Sequence, residues 1–429
     1  MRKLFRYLTP YKVLIIAIIG FVFIQTLSEL YLPTLMSNII DKGVINQDIP
    51  YILKIGGFML LVTLLGALAA VVASYFSAKV AMSFGKDLRQ RVFTHVESFS
   101  LHEFTEVGTA SLITRTTNDV TQVQLVLNMI LRMMVMAPLM AIGGIIMALN
   151  KNPGLSWVII VAVPILILVI FLVIRQAVPL FKKVQVRLDQ VNRVMREHLT
   201  GVRVIRSFNR IHFEKKRFKK ANSDLTETTI KVNKIMAVLM PSMMLIMNFT
   251  QIAVVWFGAL RIDAGDMQVG DLMAFIQYAM QIMFSMVMLS MMFVLIPRAS
   301  ASASRINEVL DIEPTIVDEH KKDVTSTQKG YLQFDDVTFS YPGAEKPALR
   351  NRSFSAAPGE ITAIIGGTGS GKSSLLKLIS RFYDTDSGSV LVDGINVKDI
   401  PVAELRKKIG LVPQKAVLFT GSVKENILF

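Results

Sequence analysis

Six runs of residues with almost no charged side chain decide what this chain can fold into. They cover residues 13–36, broken only by Glu29, and the uncharged stretches 55–78, 133–150, 152–174, 235–260 and 272–297. Crossing a bilayer's hydrocarbon core takes roughly 17 to 25 helical residues, and each run meets that length. A soluble bundle would place charged side chains along one face of such helices, and these have none. A multi-pass membrane protein is therefore expected. Pro138, Pro164 and Pro241 fall inside the runs or near their ends, which a membrane helix tolerates when neighbours satisfy the freed carbonyl. The start Arg2-Lys3 precedes an apolar run too long for a signal peptide and without a small-residue cleavage site, so it reads as a retained anchor.

The links between runs alternate between short and long. Basic residues cluster at the N-terminus (Arg2, Lys3, Arg6, Lys12) and after the fourth run (Arg175, Lys182, Lys183). The positive-inside tendency puts these, with the long connections, in the cytoplasm. The short links with Asp41, Asp48, Asp263 and Asp266 then lie outside. Between residues 175 and 234 there are 16 Lys or Arg against 5 Asp or Glu, a large share of the net charge of +15. Placed beside the bilayer, that charge attracts anionic lipids, and no recognition motif accompanies it, so no nucleic-acid partner is expected. With no cysteine, disulfides and thiolate chemistry are excluded; His95, His102, His198, His212 and His320 lack ligand spacing.

The long connections keep helical apolar spacing with charged faces over residues 78–98 and 181–199, as continuations of the spans. Each leads to a polar turn, 114–119 in the first and 207–210 in the second. Those tips fit either docking points for a nucleotide-driven domain or solvated helix ends. After Pro297 the composition turns polar: a helix, then a linker marked by Pro314 and the charged run 318–323. This divides the chain into a transmembrane domain over 1–297, a linker over 298–330 and a second domain over 331–429. In that domain 331–339 and 389–392 have strand character, and Tyr341-Pro342-Gly343 is a turn.

The second domain carries Gly366-Gly367-Thr368-Gly369-Ser370-Gly371-Lys372-Ser373, a complete phosphate-binding loop between the apolar run 361–365, expected as a strand, and the helix-compatible stretch 373–382. Its glycines let backbone amides converge on phosphate oxygens. Lys372 is placed to pair with the β and γ phosphates of ATP, and Ser373 to ligate Mg2+, with Ser374 completing the binding stretch.

Six spans, long cytoplasmic extensions and this loop together resemble the ATP-binding cassette exporters, in particular half-transporters related to bacterial multidrug exporters. Residues 112–120, with Thr116, Asn118 and Asp119, are similar to that family's first coupling region; residues 197–209, ending in Phe208 and Asn209, lead to the second. Tyr341 stands where the family stacks an aromatic ring on adenine, and Val412-Pro413-Gln414 resembles its glutamine loop, which implies magnesium and catalytic roles for Gln414 beside Lys372. The resemblance implies a type I exporter fold (the type IV transporter fold) with an α/β nucleotide-binding domain. It also implies ATP hydrolysis at a dimer interface with a second half-transporter, identical or different. It places the protein in the cell membrane with the nucleotide domain cytoplasmic.

In that family the nucleotide domain continues past the glutamine loop through a signature segment, an acidic strand end with its glutamate, and a switch histidine. None of these lies within the 429 residues, and Asp393 and Asp399 have the wrong context to replace them. The expectation is an incomplete domain, with unpaired sheet edges and negligible hydrolysis by this chain alone, from a truncated product or an incomplete sequence.

Selectivity would belong to the spans. Glu29 and Gln25 share a helix face; a carboxylate there either lines a cavity or lies near the outer interface, where its cost is small. Met247 and Gln251 in the fifth run, and Gln277 and Gln281 in the sixth, sit on methionine-rich stripes that suit either an adaptable cavity for amphipathic molecules or ordinary packing. The expected function is export of drug-like molecules or lipids. A lipid or peptide exporter subunit, and a non-catalytic membrane scaffold or regulator, are the alternatives.

Overall fold

The computed structural model describes residues 2–317, 329–414 and 417–428. The charged run 318–323, with His320, lies outside them. Six helices in it are long and apolar enough to cross a membrane. Those used below are α1 (Lys12–Asn38), α2 (Ile49–Glu97), α5 (Val120–Lys151), α6 (Trp157–Thr200), α8 (Ile211–Asp263) and α9 (Val269–Leu310). Short helices sit between them: α3 (Leu101–Val107) and α4 (Thr109–Thr114) after α2, and α7 (Val202–Ser207) after α6. The chain divides into two compact units, one of Met1–Lys86 with Thr121–Ala303, the other of Asp87–Val120 with Ser304–Phe429.

The first unit packs along its interior by close helix approach. A Cβ on Gly143 would come within 2.3 Å of Leu30 Cδ1, and one on Gly144 within 2.7 Å of Ile282 Cγ1. Adjacent glycines on α5 thus admit α1 on one side and α9 on the other, the packing that small residues permit in lipid. The surrounding core joins Leu155, Val158, Val254, Phe275, Tyr278 and Ile282. At one end of these helices Lys151 Nζ lies 2.6 Å from Asp271 Oδ1 and donates to Ser37 Oγ at 2.9 Å, while Asp41 Oδ1 accepts from Gly270 N at 2.7 Å. Outward faces stay apolar: Leu60, Leu64, Leu68 and Val71 of α2 are all exposed, as lipid contact requires.

The extensions past the apolar runs are helical, since α2 reaches Glu97 and α6 reaches Thr200 without a break. The polar stretch 114–119 is not a turn. It continues as a π-helical segment, Arg115–Asp119, directly into α5, because Thr114, Thr116 and Thr117 return their hydroxyls to carbonyls four residues back. The chain reverses earlier, at residues 98–100 and at Gly108, whose φ is 79°. The basic charge is also more spread than expected. At about 1.5 Å per residue, Lys215–Lys220 stand roughly 20–30 Å along α8 from its apolar run, well past the Debye length of ~8 Å. Within 175–234, Arg175, Lys231 and Lys234 stand within about 6 Å of the apolar runs along their helices, and Lys182 and Lys183 within about 14 Å.

Among the described residues of the second unit, four strands form an antiparallel sheet in the order β2-β1-β3-β4, with β1 Leu332–Phe339, β2 Leu349–Ala356, β3 Ser387–Val392 and β4 Ile395–Asn396. Phe334 faces Phe354 on one side and Val390 on the other, and the Phe334 and Phe354 rings stack at 4.6 Å. Among the described residues, three helices follow or punctuate the sheet: α10 (Lys372–Ile379), α11 (Val402–Lys407) and α12 (Val423–Ile427). Leu375, Leu378 and Leu405 close the core against the sheet. The run 361–365 does not form the expected strand: Ile361 and Ile365 are 97% and 93% exposed. A strand needs a ladder, and among the described residues no strand pairs with it.

Candidate functional site

The phosphate-type loop is seated by glycine. A Cβ at Gly371 would come within 2.6 Å of Leu349 Cδ2 and 2.9 Å of Ala348 O, and its φ is 92°. Only glycine lets the loop turn there and press on the connection into β2. Helix α10 then starts at Lys372. Lys372 Nζ donates to Gly366 O and Gly367 O, both at 2.7 Å, and to Ser370 Oγ at 3.3 Å, which closes residues 366–372 into a ring. Ser373 is exposed on the first helical turn; Ser374 is buried and its Oγ lies 2.9 Å from Tyr341 OH.

Tyr341 is therefore beside the loop. It packs edge-on against Phe339 (4.9 Å) and Tyr383 (5.3 Å), with Lys377 Nζ 5.3 Å from its ring centre. Tyr383 and Lys377 were not singled out in the sequence, although Lys377 recurs one turn after Ser373. Gln414 is exposed, and among the described residues no hydrogen bond ties it to the loop.

This geometry fits a polyphosphate. Residues 361–370 are exposed, and a Cβ at Gly367 or Gly369 would meet nothing within 4 Å, so the backbone there is open to a ligand. Amides at the start of α10, together with the Lys372 ammonium, offer donors and positive charge to phosphate oxygens. For a magnesium ion, the Ser373 hydroxyl is the side-chain ligand that the loop offers.

The span residues divide into separate places. Gln25 Nε2 donates to Glu29 Oε1 at 2.9 Å and lies 4.0 Å from Met136 Sδ, and Gln281 Nε2 donates to Glu29 O at 3.2 Å. These three residues meet where α1, α5 and α9 adjoin, and Gln281 Oε1 is buried without a partner among the described residues. Met247 packs elsewhere, with Leu166, Met243 and Met283. Gln251 lines a groove of about 720 Å3 along α8 with Asn248 and Trp256, and Gln277 is exposed. The single lining expected from sequence thus separates, since stripes on different helices turn to different neighbours. An apolar cleft of about 510 Å3, lined by Leu27, Tyr31, Leu65 and Ile146, was not anticipated.

The expected coupling residues also differ from one another. Phe208 is 74% exposed after α7, and Asn209, with φ 50°, ends that turn. Thr116 bonds back to Leu112 O and Asn118 is exposed, whereas Asp119 is buried and clasped by the Arg305 guanidinium, with Nε 2.8 Å from Oδ2 and Nη2 on Oδ1.

Six helices long and apolar enough to span a membrane, followed by a domain with a lysine-closed phosphate-type loop, combine a membrane domain with a candidate nucleotide site. The comparisons agree. Residues 15–286 match the model of the ABC transporter transmembrane region, and residues 349–427 match that of the ABC transporter domain. An uncharacterized ABC transporter ATP-binding protein of Mycobacterium tuberculosis is 41% identical over 99% of this chain and 73% of its own length. YfiB of Bacillus subtilis, another uncharacterized ABC transporter ATP-binding protein, is 41% identical over 100% of this chain and 74% of its own length. The ATP-dependent lipid A-core flippase of Aromatoleum aromaticum is 31% identical over 100% and 72%. The chain belongs to the ATP-binding cassette (ABC) transporter family, as an exporter half-transporter and multi-pass membrane protein whose cassette domain implies ATP binding.

Proposed function

We propose that this chain is one subunit of a dimeric exporter in the cell membrane that moves lipids or other amphipathic molecules outward at the expense of ATP. The observation that carries this reading is the ring formed by Lys372 with Gly366 and Gly367 at the head of α10, in a chain with six membrane-length helices. When ATP enters, its phosphates replace the two carbonyls as partners of Lys372, and the open backbone at Gly367 and Gly369 approaches them. The Ser373 hydroxyl and the Gln414 side chain would hold the magnesium ion that comes with ATP, which would supply positive charge to the phosphates. Tyr341 supplies a flat ring for the base. Bound nucleotide holds the two cassettes together, and hydrolysis at their interface, which draws on a signature segment, an acidic strand end and a switch histidine outside these 429 residues, releases them.

Lipid cargo is supported by the lipid A-core flippases among the relatives and by the apolar cleft between α1, α2 and α5. In this reading the N-terminus, the long connections and the cassette face the cytoplasm, which the basic residues flanking the spans support. The partner is a second copy or a related half-transporter. The test is transport in proteoliposomes holding the assembled transporter. ATP-dependent translocation of a fluorescent phospholipid or an amphipathic dye is expected, and Glu29→Gln is expected to change the preference between a cationic and a neutral dye. No ATP-dependent movement of any probe by the assembled transporter contradicts the reading.

A further inference from the structure

Within the second unit, the last turns of α9 and the residues just after it are fastened at four successive points to the end of α2 and the loop that joins α2 to α5. Arg305 forks onto both oxygens of Asp119, whose side chain is only 3% exposed. One turn on, Glu308 Oε2 lies 3.3 Å from Arg115 Nη2, and Arg115 Nη1 donates to Arg305 O at 3.1 Å. Past the end of α9, His95 Nε2 lies 2.9 Å from Ile312 O; a carbonyl only accepts, so the proton sits on Nε2. Last, Glu103 Oε1 accepts from the backbone N–H of Thr315 at 3.2 Å and from its hydroxyl.

Glu103 does two things at once. Its other oxygen accepts from Ser100 N at 2.6 Å and completes the capping box that starts α3. The same carboxylate that holds the turn of the loop therefore also holds Thr315. The contacts fall at 305, 308, 312 and 315, so the last turns of α9 and the non-helical residues beyond it lie on the loop as a strap. The fastened residues are 186 to 217 positions apart in sequence, and no local propensity brings them together.

We propose that Asp119, Arg305 and Glu103 are positioning residues that make the first cytoplasmic loop and the strap one body. Movement of the cassette, which reaches the membrane helices covalently only through residues 311–330, is then passed to α2 and α5 as well as to α9. This rests on the reading of the chain as an ATP-driven transporter. Without the clamp, nucleotide still binds, but the second and third spans no longer follow the sixth.

The chain has no cysteine, so an engineered pair reports on the clamp without background. Ser100 Oγ and Thr315 Oγ1 lie 3.2 Å apart, and the double variant Ser100→Cys/Thr315→Cys is expected to cross-link in the assembled membrane protein with and without ATP. Adding Arg305→Ala is expected to lower that yield. In the parent background, Arg305→Ala and Asp119→Arg should each cut transport by about tenfold while ATP-analogue labelling stays unchanged, and Asp119→Arg/Arg305→Asp should restore most of it. Unchanged transport in both single variants, no rescue by the exchange, or a cross-link that forms in only one nucleotide state overturns the proposal. If the unaltered protein fails to take up nucleotide, the transporter reading falls, while the cross-link yield still decides whether the strap is held.

Discussion

Lys372 closes its own loop through two carbonyls, an arrangement that keeps the ammonium where incoming phosphates need it. Charge-assisted hydrogen bonds are worth about 1.5–3 kcal/mol each, so Lys372→Ala should weaken ATP-analogue binding at least about tenfold, measured by equilibrium labelling. Glu103 makes a different kind of prediction. Burial pushes its carboxyl up, but the hydrogen bonds from Ser100 and Thr315 outweigh that and hold it below the ordinary carboxylate range. A group depressed on folding stabilises fully above its unfolded pKa, ~4.3 for Glu, and that contribution is lost as pH falls through the lowered value. Thermal unfolding of the wild type should therefore show an acid-sensitive step that Glu103→Gln lacks, with a lower melting temperature in the variant at neutral pH. Equal pH profiles for the two proteins would contradict the double role of this side chain.

The membrane helices meet through small residues and one ionic cluster. Gly143→Leu drives a side chain into Leu30 and should cost about 1–3 kcal/mol, read as a lower melting temperature in detergent. Lys151→Met takes the ammonium from Asp271, which keeps the Ser37 hydroxyl as a donor, and should destabilise by about 1–3 kcal/mol through the loss of the charged partner. What the sequence makes legible follows from which forces are local. Six runs, five without charge and one broken only by Glu29, announce six spans because lipid penalises charge along the length of each. The phosphate loop is legible because its glycines and Lys372 act within eight residues. Strand β2 escaped notice because its exposed Arg350, Asn351 and Arg352 conceal the pairing of Leu349 and Phe354 with β1. The strand expected at 361–365 failed for the opposite reason, since apolar composition alone supplies no partner ladder. Asp119 drew attention as a loop-tip residue, yet its partner Arg305 stands 186 positions away, beyond the reach of any local pattern.

Two compact units share one chain, which passes from one to the other within α2, at the start of α5 and within α9. If the orientation is as proposed, a membrane-impermeant maleimide should label Asp48→Cys and Gly265→Cys in intact cells, and Phe208→Cys only after lysis. The reverse pattern would invert the topology. Cargo selection would then fall to the group of Gln25, Glu29 and Gln281 and to the cleft beside α1, while force enters at the cassette. All of this depends on the loop at 366–373 capturing ATP in a membrane-embedded protein. The direct measurement is photoaffinity labelling of the membrane-embedded chain with an azido-ATP, beside Lys372→Ala. The expected result is labelling of the wild type that unlabelled ATP displaces and that the variant lacks. Equal labelling of both proteins, or none in a folded wild type, would contradict it.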